Sequence, residues 1–521
     1  MSEDTASANL ARTLFKSTSV VASMTMVSRI LGLVRDIVLA QAFGASPGFD
    51  AFLIAFKIPN FLRRLFAEGA FSQAFVPVLS EYREQHGDKV HEFMGHIAGC
   101  LVISILLVVI VAEIIAPVLV IIFAPGFYHD PYRFTMASSM LRITFPYILL
   151  ISMTALSGAI LNTYGRFAIP AFTPVLLNAA LIGVAWWWAP QAANPVMTLA
   201  WGVILGGILQ LSIQVPALLK AGIMPKLIPN WRDSGVRKVL KLMVPALFGV
   251  SIAQISLLID SLFASFLPAG SISWLYYSDR LIFLPLGVIG VALATVVLPA
   301  LSKQFSSGKE QSYSATFEWG VKMALILGIP AAIGIYILAG PLLATLIHRG
   351  QFTSHDVLMT AKSLRAYAIG LPFFILIKIL ASGFYSRQQI SIPVKVAALA
   401  LIVNIVLNVL LIKVLAHAGL ALATAIAAGV NTIFLFILLY RKKYYVTQTP
   451  WLPILLRLLL ASVLMVIFLE WLSADIAVWL MWTSLQRVWH LAALVCFSMA
   501  LYFASLLVSG MRMHHLKPPV G

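Results

Sequence analysis

About fourteen apolar stretches, each near the length of about 20 residues that a helix needs to cross a bilayer, follow one another through the 521 residues of the chain. That feature constrains the fold more than any other. Backbone polar groups in hydrocarbon have no water to bond, and a helix satisfies them within its own segment. The chain therefore reads as an all-α polytopic membrane protein, with spans near 20–43, 50–79, 93–123, 134–161, 170–188, 196–219, 238–266, 272–300, 317–347, 357–384, 392–414, 418–440, 451–473 and 485–510. The second is the least apolar, because it holds Lys57, Arg63, Arg64 and Glu68. Connections are short and leave no room for a soluble catalytic domain.

The net charge of +17 would suggest nucleic acid in a soluble protein. Only 11% of the residues are charged, against 61% hydrophobic, where soluble domains carry about 25% charged residues. The basic residues instead sort by loop. With the N-terminus inside, inner loops hold Arg83, Lys89, Arg166, the run from Lys220 to Lys238, Lys303, Lys309, Arg387 and Arg441–Lys443; outer loops hold Arg133, Arg349 and Lys413. This positive-inside pattern places both termini in the cytoplasm and calls for no nucleic acid. Cys100 and Cys496 both lie in apolar runs, which argues against a disulfide framework. The first apolar run is interrupted by Arg29 and Arg35, so no signal-peptide cleavage is expected.

An internal repeat is visible. "AFVPVLSEY" resembles "TVVLPALSKQ", with Pro77 and Pro299 separated by 222 residues (299 − 77). "NTYGR" resembles "GFYSR", with Arg166 and Arg387 separated by 221 (387 − 166). The prolines of "FPYILL" and "LPFFIL" lie 226 apart (372 − 146), which requires a short gap. A repeat of about six spans keeps both copies in one topology and predicts two lobes around a central cavity, a transporter architecture. The expected domains are an N-lobe over 1–220, a C-lobe over 221–445 and a C-terminal helix pair with its tail over 446–521.

The charges inside the spans point to function. An arginine at the bilayer centre costs about 2.5–3.5 kcal/mol on insertion scales, so such residues face water, protein or a ligand. In "SRILGLVRD", Arg29 and Asp36 share a helix face, and Arg35 sits about 100° away from Asp36. Asp50, Lys57 and Arg64 recur every seven residues, with Asn60 and Glu68 near the same stripe and Arg63 beside it; Asp279 and Arg280 follow in "SWLYYSDRLIFLP". Internal ion pairing is the competing account of any one of these residues. As a set, however, Arg29, Arg35, Lys57, Arg63, Arg64 and Arg280 outnumber Asp36, Asp50, Glu68 and Asp279. A cationic cavity suits an anionic ligand, and the arginine fork suits phosphate. The expected function is export or flipping of an anionic, phosphate-bearing substrate.

A further set, Asp260, Asn404, Asn408 and Thr424, offers hard oxygen donors for Na⁺, or Asp260 alone for a proton; hydrogen bonding between helices is the alternative. An integral-membrane enzyme is disfavoured. No His-x-x-x-His pattern occurs, and Gly308–Lys309 is followed by Glu310 rather than the Ser or Thr of a P-loop.

The stretches "MTMVSRILGLVRDIVLAQAFG", "DAFLIAFKIPNFLRRLFAEGAFSQAFVPVLSEY", "SWLYYSDRL…LPLGVIGVALATVVLPALSK" and "GFYSRQQISIPVK" resemble the MurJ (MviN) family of lipid II flippases, within the multidrug/oligosaccharidyl-lipid/polysaccharide exporter superfamily. The resemblance implies fourteen helices, in two six-helix lobes and a C-terminal pair that helps to form a groove for the lipid tail. It implies alternating-access transfer of lipid II, the undecaprenyl-pyrophosphate-linked disaccharide-pentapeptide, from the inner to the outer leaflet of the bacterial cytoplasmic membrane. Membrane lipids and the cell-wall synthesis machinery are its expected partners. No cofactor is expected beyond a coupling ion, Na⁺ or H⁺, or the membrane potential. The family's cavity arginines correspond to Arg29, Arg35, Arg63 and Arg280, its acidic positions to Asp36 and Asp50, and its small polar positions to Ser28 and Ser273. Phe283 departs from the acidic or polar residue that the resemblance implies there. Other undecaprenyl-pyrophosphate-linked oligosaccharides share the pyrophosphate and remain the alternative substrate.

Overall fold

The computed structural model describes residues 3–64, 71–85 and 87–512, and among them every regular element is helical. In chain order the helices are α1 (Glu3–Phe43), α2 (Pro47–Leu62), α3 (Phe71–Gln85), α4 (Val90–Ile114), α5 (Ala116–Phe123), α6 (Pro131–Thr144), α7 (Tyr147–Thr163), α8 (Ala168–Gly183), α9 (Met197–Lys220) and α10 (Ser234–Ala264). There follow α11 (Ser271–Pro285), α12 (Ala292–Ser306), α13 (Glu310–Ile337), α14 (Ala339–Leu346), α15 (Ser354–Tyr385), α16 (Ser391–Arg441), α17 (Trp451–Leu472), α18 (Ile476–Met481) and α19 (Ser484–Val508). Glu68 lies outside the described residues.

Among the described residues ten helical segments are long and apolar enough to cross a membrane. They account for eleven of the expected spans, because Ser391–Arg441 contains two helices joined at Ala416, whose φ of 49° and ψ of −130° break the helix. The expected spans near 20–43, 50–79 and 238–266 fall on α1, on α2 with α3, and on α10.

The chain forms two compact units, Met1–Ala269 and Gly270–Gly521. Helix α10 belongs to the first of these units through its packing on α3, α4 and α5. Its first turns place Val236 and Val239 in a core with Phe75, Phe93, Ile160 and Leu218. At its far end the Ser265 hydroxyl accepts a hydrogen bond from Gly126 N at 2.9 Å.

Helices meet where small residues permit it, as lipid-embedded packing requires. A Cβ on Gly206 would stand 2.6 Å from the Leu177 side chain, and one on Gly207 would stand 2.7 Å from the Tyr147 ring, so α9 lies directly against α8 and α7. Tyr147 donates to Gln210 Oε1 at 3.2 Å, and Gln210 Nε2 donates to Thr173 O at 3.0 Å. Prolines inside helices leave the carbonyl four residues earlier without its backbone donor. Two of these gaps are closed by hydroxyls: Thr144 donates to Ala55 O at 3.0 Å, opposite Pro59, and Thr173 donates to Pro170 O at 2.8 Å, opposite Pro174.

The repeat is written in the backbone. The break after α4 falls at Ile115 (φ −96°, ψ 15°) and the break after α13 at Leu338 (φ −87°, ψ 16°). These lie 223 residues apart (338 − 115). The N-caps Asp130 of α6 and Thr353 of α15 keep the same interval (353 − 130). So do Gly165 and Gln388, both at positive φ (388 − 165). The "NTYGR" and "GFYSR" pairing, at an interval of 221, is therefore out of register with the backbone by two residues. The two arginines differ accordingly. Arg166 Nη1 donates to Ala217 O at 3.3 Å, whereas Arg387 is surrounded by the rings of Phe305, Tyr313 and Tyr444 at 4.4–4.8 Å.

In the second unit the C-terminal helices are held by Arg487 in the first turn of α19. It donates to Ala344 O at 2.8 Å, Leu480 O at 2.7 Å and His348 Nδ1 at 3.1 Å. Arginine only donates, so His348 accepts as the neutral imidazole. Burial, and then the Arg487 charge, push His348 below its ordinary value of 6.5. The unfolded chain takes up this proton first, so the stabilisation is complete above pH 6.5 and is lost as pH falls below it. The melting temperature of the purified protein should drop over that range, and His348→Asn should flatten the profile. Separately, a Cβ on Gly126 would lie 2.3 Å from Ser265 C. Gly126→Ala should therefore cost about 1–3 kcal/mol, as overpacking does, measured by denaturation in mixed micelles.

Candidate functional site

The proposed cationic residues fall into two groups by environment. Arg35 is buried on α1. Its Nε and Nη2 donate to Asp36 Oδ1 at 2.9 and 2.5 Å, and its Nη1 donates to Asn178 Oδ1 of α8 at 2.9 Å. The Asn178 amide completes the link by donating to Ser28 O at 3.2 Å. Arg35 and Asp36 thus tie α1 to α8, and the other half of the amide grips the α1 backbone one turn before Gly32. Arg29 is exposed and Ser28 half-buried.

Helix α2 begins with Ser46 capping Phe49 N at 3.2 Å. Asp50 is fully buried in its first turn, where the helix dipole favours a carboxylate. Toward the other end, Asn60 anchors to Phe56 O at 3.0 Å and accepts from Arg63 Nε at 3.1 Å. That bond orients the Arg63 guanidinium while leaving it half-exposed. Lys57 donates to the Ser261 hydroxyl of α10, next to Asp260. Arg64 is exposed.

In the second unit, α11 presents Arg280 at the surface with its guanidinium 5.0 Å from the Tyr276 ring centre. Asp279 is half-buried and Ser273 fully buried. Phe283, one turn further on, is exposed. The start of α11 is fixed by Trp274 Nε1, which donates to Asp356 Oδ1 at 2.9 Å.

Three of the four coupling-ion candidates lie on α16. Asn404 donates to Thr424 Oγ1 at 3.1 Å, and Asn408 donates to Asn404 Oδ1 at 3.2 Å, so these three form one hydrogen-bonded chain within α16. Asp260 stands on α10, in the other compact unit. No cluster of three or more His, Cys, Asp or Glu residues suited to a metal ion occurs among the described residues. Asn178 was not among the residues picked out in the sequence; its signal is a single amide within the apolar run "PVLLNAALIGV".

These residues sit on the fold of a polytopic membrane transporter. An inward-facing multidrug resistance MATE family transporter of the MOP superfamily superposes with a TM-score of 0.65 over 82% of this chain and 97% of its own, at 13% identity, a likeness of fold alone. A solved structure of the lipid II flippase MurJ in an inward closed conformation matches with a TM-score of 0.78 at 28% identity, over 94% of this chain and 99% of that one. The chain belongs to the lipid II flippase MurJ family, whose model matches residues 39–490. A probable lipid II flippase MurJ of Vibrio cholerae is 44% identical over 519 residues, 98% of each chain. The lipid II flippase MurJ of Burkholderia cenocepacia is 41% identical over 509 residues, 96% of this chain and 98% of its own.

The two environments on α1 make separable predictions. Asp36→Ala strands the buried Arg35 charge and should destabilise the protein by about 3–5 kcal/mol. Arg29→Ala, at an exposed position, should stay within about 0.5 kcal/mol of the parent. Denaturation midpoints in mixed micelles read both.

Proposed function

We propose that the protein is a flippase that carries lipid II from the inner to the outer leaflet of the bacterial cytoplasmic membrane for cell-wall synthesis, with both termini in the cytoplasm. Family membership over residues 39–490 carries this reading. The exposed Arg29, Arg64 and Arg280, and the half-exposed Arg63, supply chemistry suited to a pyrophosphate. Guanidinium groups donate paired hydrogen bonds to phosphate oxygens and replace their hydration. In this scheme Arg29, Arg63 and Arg280 bind the head group, with Lys57 and Arg64 adding positive charge. Asn60 orients Arg63. Arg35, Asp36 and Asp50 hold the helices that carry the ligands, and Ser28, Ser273 and Asp279 flank them. The undecaprenyl tail stays in lipid while the protein alternates access. No covalent step is involved, which makes the protein a carrier rather than an enzyme.

Asn404, Asn408 and Thr424 are assigned to pairing the two halves of α16, each contact worth about 0.6–2 kcal/mol. The drive is assigned to the membrane potential acting on the cationic side chains, at about 2.3 kcal/mol per charge per 100 mV. The family match does not favour another undecaprenyl-pyrophosphate-linked oligosaccharide as the substrate.

Expression in cells depleted of their own lipid II flippase should restore lipid II to the outer leaflet, measured by its accessibility from outside. Arg29→Ala, Arg63→Ala and Arg280→Ala should each lower that signal by at least about tenfold, the loss of a charged hydrogen bond of about 1.5–3 kcal/mol, with normal protein levels in the membrane. Full translocation by all three variants would overturn the site assignment, and failure of the parent chain to restore the signal would overturn the function.

A further inference from the structure

We propose that the connector between α9 and α10, residues 221–233, is an interfacial strap that binds anionic glycerophospholipid head groups of the adjacent leaflet. Helix α9 ends at Lys220, so the connector starts where a membrane-spanning helix leaves the hydrocarbon. It has no regular secondary structure through residues 223–230, and it is fastened to α4 instead of hanging free. Ile228 N donates to Gly95 O at 3.3 Å. A Cβ on Gly95 would fall 2.6 Å from Lys226 O, and one on Gly99 would fall 2.5 Å from Pro229 N, so only glycine lets the strap lie this close. His96 Nδ1 meets Asp233 Oδ2 at 3.2 Å at the far end, and Ile223 is buried at the near end.

A connector pinned this firmly would be expected to bury its apolar side chains. It exposes them instead: Met224, Leu227, Ile228 and Trp231 are 41%, 59%, 51% and 46% exposed. Around them stand the exposed Lys220, Lys226, Arg232, Arg237 and Lys241. Two of the nearby acids are already engaged, and the exposed Glu92 lies 3.8 Å from His96. Asp233 holds His96 and caps α10 by accepting from Val236 N at 3.0 Å, and Glu81 takes Lys238 at 2.5 Å. Large apolar side chains and an interfacial tryptophan ringed by basic residues are the composition that lies in the head-group layer. The unbalanced positive charge selects anionic lipid within that layer.

The test uses the full chain with Cys100→Ala and Cys496→Ala and a nitroxide label on Leu227→Cys. In vesicles of phosphatidylglycerol and phosphatidylcholine the label should be accessible to oxygen and shielded from a water-soluble relaxant. It should turn aqueous in phosphatidylcholine alone, or when Lys226→Gln and Arg232→Gln are added. In unlabelled protein, native mass spectrometry should show phosphatidylglycerol retention falling about fivefold for each basic residue neutralised, while lipid II transport by the same variant persists. A label that is aqueous in both vesicles overturns the proposal. So does one immersed equally in both, or one shielded only when a soluble protein or lipid II is added.

Discussion

A polar group stranded in hydrocarbon is the cost that organises this molecule. Helices answer it for the backbone, and the exceptions show how strictly it applies. Where Pro59 and Pro174 remove a donor, Thr144 and Thr173 supply one to the carbonyls left over. Where α9 crosses α7 and α8, Gln210 is spent on linking them. The same constraint governs the charges. A guanidinium among apolar helices either finds partners in the protein or stays open to a polar ligand, and the two outcomes are visible six residues apart on α1, at Arg29 and Arg35.

That contrast separates two roles. Arg35 has given its donors to Asp36 and Asn178, and its contribution is to fix where α1 lies against α8. Arg29 is carried on the helix so fixed. Arg63 stands between these extremes, aimed by Asn60 but still half-exposed. In the proposed scheme a carrier of a charged head group uses both kinds of arginine, because ligands on a wandering helix would lose the orientation that makes paired hydrogen bonds strong.

Much of this was legible in the sequence. Apolar run length reveals the helices and the crowding of cations in the first two spans, and the motifs around those cations reveal the family. The partners of those cations were less accessible. Side chains at i and i+1 do not ordinarily face each other on a helix, so spacing alone set Arg35 apart from Asp36. Asn178, 143 positions from Arg35, leaves no local pattern. The packing of α10 was hidden for a related reason: its contacts with α3 and α4 and the Gly126–Ser265 contact depend on three-dimensional proximity. Residue likeness also misplaced the Arg166 and Arg387 anchors by two positions, since identity had drifted while the turn had not.

The drift and the constancy together say something about what has been preserved. From hinge to turn the first half spans 50 residues (165 − 115) and the second spans 50 (388 − 338). Yet the cap between them is Asp130 paired with Arg133 in one half and a Thr353–Asp356 capping box in the other. The turn is made by glycine in one and by glutamine in the other. Chemistry at these joints has been replaceable, but the length between them has not. The interval works as a ruler: a residue gained or lost inside it would rotate every later side chain on its helix by about 100° and move a lipid-facing surface into the bundle.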